Sequence, residues 1–174
     1  LSNNDGCVVA RSEEAKRIGI PFASPYFRVR GLAERHNTAV FSSNYALYAD
    51  LSFRVMTVLH SFTPDVEVYS IDEAFLHFKK RGDMTALGLA IREKVYKWVG
   101  IPVSVGIGCT RTLAKAAAHL AKRDSALSGV FDMTSAEDAE SILARVPVRG
   151  IWGVGPAYAA RLEGSGIYTA ADFT

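Results

Sequence analysis

The sequence predicts an α+β fold in which a small antiparallel or mixed sheet carries helices on one face. Three observations predict it. Short runs of β-branched and aromatic residues alternate along the chain with amphipathic helical stretches. Two of these runs flank the acidic pair Asp72-Glu73 as arms of a hairpin, with Val66, Val68 and Tyr69 leading in and Phe75, Leu76 and Phe78 leading out. A third run places Val103, Val105 and Ile107 on one strand face and Ser104, Gly106 and Gly108 on the other.

From the start of the chain, Leu1 to Asp5 reads as the end of a strand, with Asn4-Asp5-Gly6 as the turn and Cys7-Val8-Val9-Ala10 as a short returning strand. Ser12 caps a helix over Glu13 to Arg17 that Gly19 and Pro21 stop. Ser24 caps a second helix, with Pro25 in its first turn, running to about His36 and basic at Arg28, Arg30 and Arg35. Ala39 to Ser42 reads as a strand. Asn44 caps a long helix to about Phe62, whose core stripe is Leu47, Leu51, Val55, Val58, Leu59 and Phe62.

After the hairpin, Met84, Leu87, Ile91, Val95 and Trp98 mark a further amphipathic helix, stopped by Gly100 and Pro102. The bare Ser/Gly face of the Val103 to Gly108 strand is expected to turn toward a substrate, because glycine in a strand marks close approach. A helix from Arg111 to about Lys122 packs its alanines on the sheet, and Gly129 to Met133 forms one more strand. Ser135 and Asp138 resemble a capping box for a helix through Ile142 and Leu143, ended by Pro147. Gly153-Val154-Gly155 then turns the chain into a helix over Ala157 to Leu162, and Gly164-Ser165-Gly166-Ile167 opens another.

The 174 residues suffice for one core or for two or three small lobes. A net charge of +2 does not by itself indicate nucleic acid, but Thr110 to Arg123 holds four Lys or Arg and no acid, and Lys79-Lys80-Arg81 follows the hairpin. Cys7 and Cys109 are far apart and read as reduced thiols, and His36, His60, His77 and His119 form no cluster. No apolar run approaches the roughly 20 residues of a membrane span and no signal peptide is visible, so a soluble, cytoplasmic protein is expected. The chain opens on Leu1 and closes on Asp172-Phe173-Thr174 within what reads as a new helix; both ends read as cut.

The chemistry centres on Asp72 and Glu73. Two carboxylates between apolar strand residues call for a shared cation, and they converge on one ion only if the chain bends beside them. The alternative is an exposed hairpin tip. Bound to metal, the pair suits phosphoryl or nucleotidyl transfer, in which two Mg²⁺ ions about 3.5 to 4 Å apart serve the attacking and leaving oxygens. A third acid is needed from another strand, and residues 1 to 68 offer no good candidate. Lys115 sits among apolar helix positions, where a lysine snorkels to water. The Gly153 to Gly155 turn offers backbone N–H groups at a helix start, a geometry that binds phosphate without reading bases, and with Gly164 and Gly166 it resembles a helix-hairpin-helix element.

Ser70-Ile71-Asp72-Glu73-Ala74-Phe75, Val105-Gly106-Ile107-Gly108 with Thr112-Leu113-Ala114-Lys115, and Ile151-Trp152-Gly153-Val154-Gly155 occur in the order and spacing of the Y-family translesion DNA polymerases. Leu1-Ser2-Asn3-Asn4-Asp5-Gly6-Cys7-Val8 and Phe41-Ser42-Ser43-Asn44-Tyr45 resemble the UmuC branch of that family. The resemblance covers essentially the whole chain. It implies a right-hand polymerase with fingers at residues 1–46, palm at 47–133 and the start of a thumb at 134–174, acting in SOS-type translesion synthesis. Asp72 and Glu73 would be the Mg²⁺-binding palm carboxylates, and Lys115 would reach the incoming triphosphate. A Tyr and an Arg that grip the triphosphate in many members correspond here to Glu13 and Lys16; Lys16 keeps the charge without the planar fork, and Arg11 is the neighbouring substitute.

The resemblance also implies a first palm strand before Leu1, carrying the remaining metal-binding aspartate and an aromatic gate, and a little finger after the thumb. Residues 1–174 alone are therefore expected to have little or no activity. Implied partners are primer-template DNA and a deoxynucleoside triphosphate, with a cleaved accessory dimer, a recombinase filament and the sliding clamp. Two other classes fit parts of the pattern. One is a catalytically dead DNA-binding scaffold, suggested by Glu13. The other is a nucleotidyl cyclase-like palm, which the glycine turns after Arg149 disfavour.

Overall fold

The computed structural model describes residues 1–79, 82–134 and 139–174. Lys80-Arg81 of the expected basic turn and the Ser135 and Asp138 cap pair lie outside the described residues. The chain divides into two compact units, Leu1–Asp50 and Leu51–Thr174.

In the first unit, α1 (Glu13–Arg17) starts where Ser12 accepts from the Ala15 N–H, as its sequence predicts. Helix α2 (Tyr26–Arg35) differs at its start: Pro25 is the cap residue without a side-chain bond, and the Ser24 carbonyl is taken by the Val8 N–H. Cys7 to Ala10 is not a strand. Its one bridge is Cys7 to Pro25, and a proline has no N–H to continue a ladder. Ala39 to Ser42 is likewise irregular, joined to the start of the chain through Ser43 N–H to the Leu1 carbonyl and Asn3 Nδ2 to the Ser43 carbonyl. Val8, Ala15, Ile20, Val29 and Ala33 form this unit's core.

Helix α3 (Tyr45–His60) is capped by Asn44, whose Oδ1 accepts from Leu47 N–H at 3.1 Å. Its buried face is Met56, Val58 and Leu59, whereas Leu47 is 47% exposed and leaves the expected stripe. Strands β1 (Val66–Val68) and β2 (Ala74–Leu76) pair antiparallel, with Val66 opposite Leu76 and Val68 opposite Ala74. Helix α4 (Met84–Val99) runs from an Asp83 cap to a left-handed Gly100, with Ile91 and Val95 buried. Trp98, placed in the stripe by spacing, is 67% exposed and lies beside Lys94 on the surface. Ala74, Leu76 and Phe78 pack with Met56, Leu59, Ile91 and Val95, so the hairpin carries helices on one face.

The other strand pair departs from that plan. Strand β3 (Val105–Ile107) pairs parallel with β4 (Val130–Asp132), and it is covered on both faces. Val105 and Ile107 lie against α4 at Gly88, where a Cβ would stand 2.7 Å from Val130. The glycine face is covered by α5 (Arg111–Arg123): a Cβ on Gly106 would stand 2.1 Å from the Ala114 carbonyl oxygen and 2.1 Å from the Ala118 nitrogen. Close approach was the correct inference from the glycines and a substrate was the wrong neighbour. Ala116, Ala117 and Leu120 of the same helix are buried with Met133, Val146 and Ala170.

Helix α6 (Ala139–Ala144) is followed by a 3₁₀ turn, Val148–Gly150, and by α7 (Pro156–Gly164). The chain returns through Tyr168 and Ala170, whose carbonyl and N–H bond Val148 and Val146. Thr169 and Asp172 then exchange cap bonds, with Asp172 accepting from the Tyr168 and Thr169 N–H groups, but among the described residues only turns follow and not the expected helix.

The His119 ring packs against Gly150 with no hydrogen-bond partner for Nε2. Burial, with Arg123 and Lys122 in the same sense, holds its pKa below 6.5. The unfolded chain thus binds this proton more readily, so the stability contribution is complete above about pH 6.5 and is lost as pH falls below it. Unfolding midpoints at pH 7.5 and 5.5 should differ more for the native protein than for His119→Gln; equal differences would exclude His119 as the source.

Candidate active site

The hairpin face opposite the core carries Glu67, Tyr69 and Phe75, since side chains alternate along the strands and Glu67 stands opposite Phe75. Between the strands the chain bends at Ser70–Asp72, beside the acid pair. The Tyr69 and Ser70 N–H groups both donate to the Glu73 carbonyl at 3.0 Å, which pinches the tip. Ser70 Oγ donates to Asp72 Oδ1 at 2.7 Å and so orients that carboxylate.

Asp72 and Glu73 are exposed, which corrects the argument that burial forces a cation upon them. Their neighbour supplies the argument instead. Glu73 Oε1 accepts from Lys115 Nζ at 2.6 Å, joining the hairpin tip to α5. The Lys115 side chain is 24% exposed and that of Glu73 is 44% exposed. A pair this open to water is worth about 0.2–1 kcal/mol, so an anion for the lysine and a cation for the carboxylate can separate it at little cost.

Lys115 does not reach out into water as a snorkelling residue would. Its Nζ stands 5.6 Å from the Tyr69 ring centre and 5.8 Å from that of Trp152, within cation–π range. Trp152 meets Tyr69 edge to face at 5.4 Å and lies 5.7 Å from Phe75. One turn of α5 before Lys115, Arg111 bonds Glu67 at 2.6 Å and lies over the Phe75 ring. The Thr110 hydroxyl caps α5 through Leu113 N–H, which fixes the two cations on their helix. Acid and base therefore alternate over an aromatic floor.

Among the described residues no three His, Cys, Asp or Glu side chains gather as a metal group. Asp72 and Glu73 are adjacent oxygen donors at a bend, which fits Mg²⁺ as a partial set, since that ion commonly takes one or two carboxylates and fills its sphere with water and substrate phosphate.

The other candidate residues are engaged locally. Lys16 pairs with Glu13, and Arg11 uses one of its donors, Nη1, on the Ile20 carbonyl at 2.9 Å. Gly153, at φ +91°, makes the turn into α7, and Gly155 caps that helix. The Val154 N–H is used within the turn on the Ile151 carbonyl. The first helical bond runs from Ala159 N–H to Gly155, which leaves the preceding N–H groups without an intrahelical partner. Gly164 ends α7 and Gly166, at φ +84°, turns the chain, but among the described residues no second helix starts there.

The sequence places Tyr69 in the hairpin, Arg111 in a basic run and Ser70 and Trp152 in motifs, but gives none of them a place in the site. Trp152 was the most accessible of them: a tryptophan directly before a glycine turn must lie on something, though the partner is more than thirty residues away and has no local signature.

The fold is that of DNA polymerases of the Y family. DinB from Sulfolobus solfataricus matches with a TM-score of 0.74 over 90% of this chain and 45% of that one, at 24% identity. A ternary complex of Dbh matches at 0.77 over 97% and 50%, at 23% identity. The chain belongs to the impB/mucB/samB family, whose model matches residues 1–119. It is 46% identical to protein UmuC of Salmonella typhimurium strain LT2 over 178 residues, covering 100% of this chain and 42% of that protein. It is 34% identical to DNA polymerase IV of Alkalilimnicola ehrlichii over 175 residues, 98% of this chain and 47% of that one. The chain thus spans under half the length of these relatives. Among the described residues no helix is long and apolar enough to cross a membrane.

Proposed function

We propose that this chain is the catalytic part of a template-directed DNA polymerase for translesion synthesis. The observation that carries the reading is the 2.6 Å contact between Glu73 and Lys115, which puts an acid pair and a cation at one corner in a chain of this family. Asp72 and Glu73 would hold Mg²⁺, which would supply a lower pKa for the primer 3′-hydroxyl and neutralise phosphate charge. Lys115, released from Glu73, takes the triphosphate of the incoming nucleotide and holds its charge away from the carboxylates. Ser70 keeps Asp72 turned to the same side. Residues 1–46 act as fingers, 47–133 as palm and 134–174 as the start of a thumb, whose Gly153 to Gly155 turn, with Gly164 and Gly166, lies on the DNA backbone. An accessory dimer, recombinase filament and sliding clamp are the partners the reading expects, in the cytoplasm.

Lys115→Met in the full-length protein tests it. Losing a charge-assisted contact worth about 1.5–3 kcal/mol should raise the KM for deoxynucleotide about 10- to 100-fold, while DNA affinity holds and still falls with salt. Unchanged primer extension would overturn the reading. The engagement of Lys16 by Glu13 and of Arg11 by Ile20 favours a second one, a non-catalytic DNA-binding scaffold, which predicts no incorporation in either protein with salt-dependent DNA binding in both.

A further inference from the structure

The function proposed above uses Lys115 and gives no task to the two rings that flank its ammonium. Those rings come from separate stretches: Tyr69 from the hairpin, and Trp152 from the turn ahead of α7. Phe75 closes the group, 5.9 Å from Tyr69 and 5.7 Å from Trp152. A lysine loses much rotamer freedom when it is fixed, so a ligand that had to immobilise a free Lys115 would bind less tightly. Here the side chain is three-quarters covered before any ligand arrives.

Glu73 alone cannot hold it there at the moment of use, because a metal ion drawing on that carboxylate removes the lysine's partner. Ring faces carry no net charge and are not titrated away. They attract the cation from the side and leave its N–H groups free for an anion.

We propose that Trp152, with Tyr69, is a positioning residue for Lys115: the two rings hold the ammonium at the acid pair so that it is in place for a triphosphate. The inference rests on the reading of Lys115 as the triphosphate contact. It also makes Trp152 a reporter, since an anion drawing Nζ along or away from the indole alters its emission, and the indole adjoins the Gly153 turn.

The test titrates the full-length protein with magnesium tripolyphosphate and reads intrinsic fluorescence and calorimetric affinity. The native protein should show an emission change on binding that Trp152→Phe abolishes, because the reporter is gone, while Trp152→Phe keeps affinity within about twofold because a ring face remains. Trp152→Leu and, independently, Tyr69→Leu should each weaken binding about three- to tenfold. A purely structural role for Trp152 would leave the ligand-dependent emission change absent in the native protein. Should Lys115→Met weaken binding while the leucine variants bind as the native protein does, the positioning role is overturned and the triphosphate contact stands. Should Lys115→Met also bind normally, the triphosphate contact is overturned and the positioning role with it. Unfolding of Trp152→Leu would leave Tyr69→Leu and Trp152→Phe to decide by the same criteria.

Discussion

Primer extension by the full-length protein should fall about 10²- to 10³-fold on Asp72→Ala and on Glu73→Ala, the range seen when one preorganised electrostatic contact at a reacting centre is removed. The two variants should lose activity for different reasons. Asp72 takes its orientation from Ser70, whereas Lys115 bonds Glu73, so loss of Asp72 removes an oxygen donor and leaves the lysine paired. Loss of Glu73 removes a donor and also frees Lys115, which keeps only the Tyr69 and Trp152 rings. Both side chains are exposed, so neither substitution should move the unfolding free energy by more than about 1 kcal/mol. Full activity in both variants would overturn the assignment of Asp72 and Glu73 as metal-holding carboxylates. A collapse of stability would instead place the carboxylates in the fold's support.

Gly106→Ala should have the largest effect on stability of any single methyl addition in the second unit. The new Cβ would stand 2.1 Å from the Ala114 oxygen and the Ala118 nitrogen, both backbone atoms of α5. A helix backbone cannot rotate out of the way as a side chain can, so α5 must move off β3 as a body. Overpacking of this kind costs about 1–3 kcal/mol where side chains give way, and more is expected here. The helix carries Lys115, so activity should be lost at temperatures at which the protein is still folded. Gly31→Ala is the contrasting control, lying within α2 with nothing near its Cβ, and it should be neutral or stabilising. Equal melting temperatures for Gly106→Ala and the native protein would contradict the close packing of α5 on β3.

The contrast between these two sites is also the measure of what the sequence discloses. The Gly106/Gly108 alternation announced close approach, and the alanines of α5 announced a helix able to make it, but nothing local connects them, so the bare face was given to a substrate. Helices read well where capping is local: Ser12 and Asn44, both read as caps, each accept from an N–H three residues on. Strands read poorly wherever the partner decides, as at Cys7 to Ala10, where Pro25 ends the ladder after one bridge. In the site, Asp72, Glu73 and the bend between the strands were legible as a motif, and Lys115 as a lysine among alanines. The pairing of Glu73 with Lys115 spans 42 residues, and the aromatic floor draws on three stretches, neither of which any periodicity encodes.

On the function proposed here, the Glu73–Lys115 pair opens to take a metal ion and a triphosphate, one on each partner. A crystal of the full-length protein with Mn²⁺ and a non-reactive deoxynucleotide tests it most directly through the metal's anomalous signal. A manganese peak is expected at coordination distance from the Asp72 and Glu73 carboxylates, with Lys115 Nζ moved from Glu73 to the phosphates. A nucleotide bound elsewhere, with the 2.6 Å pair intact and no metal at the hairpin tip, would contradict it.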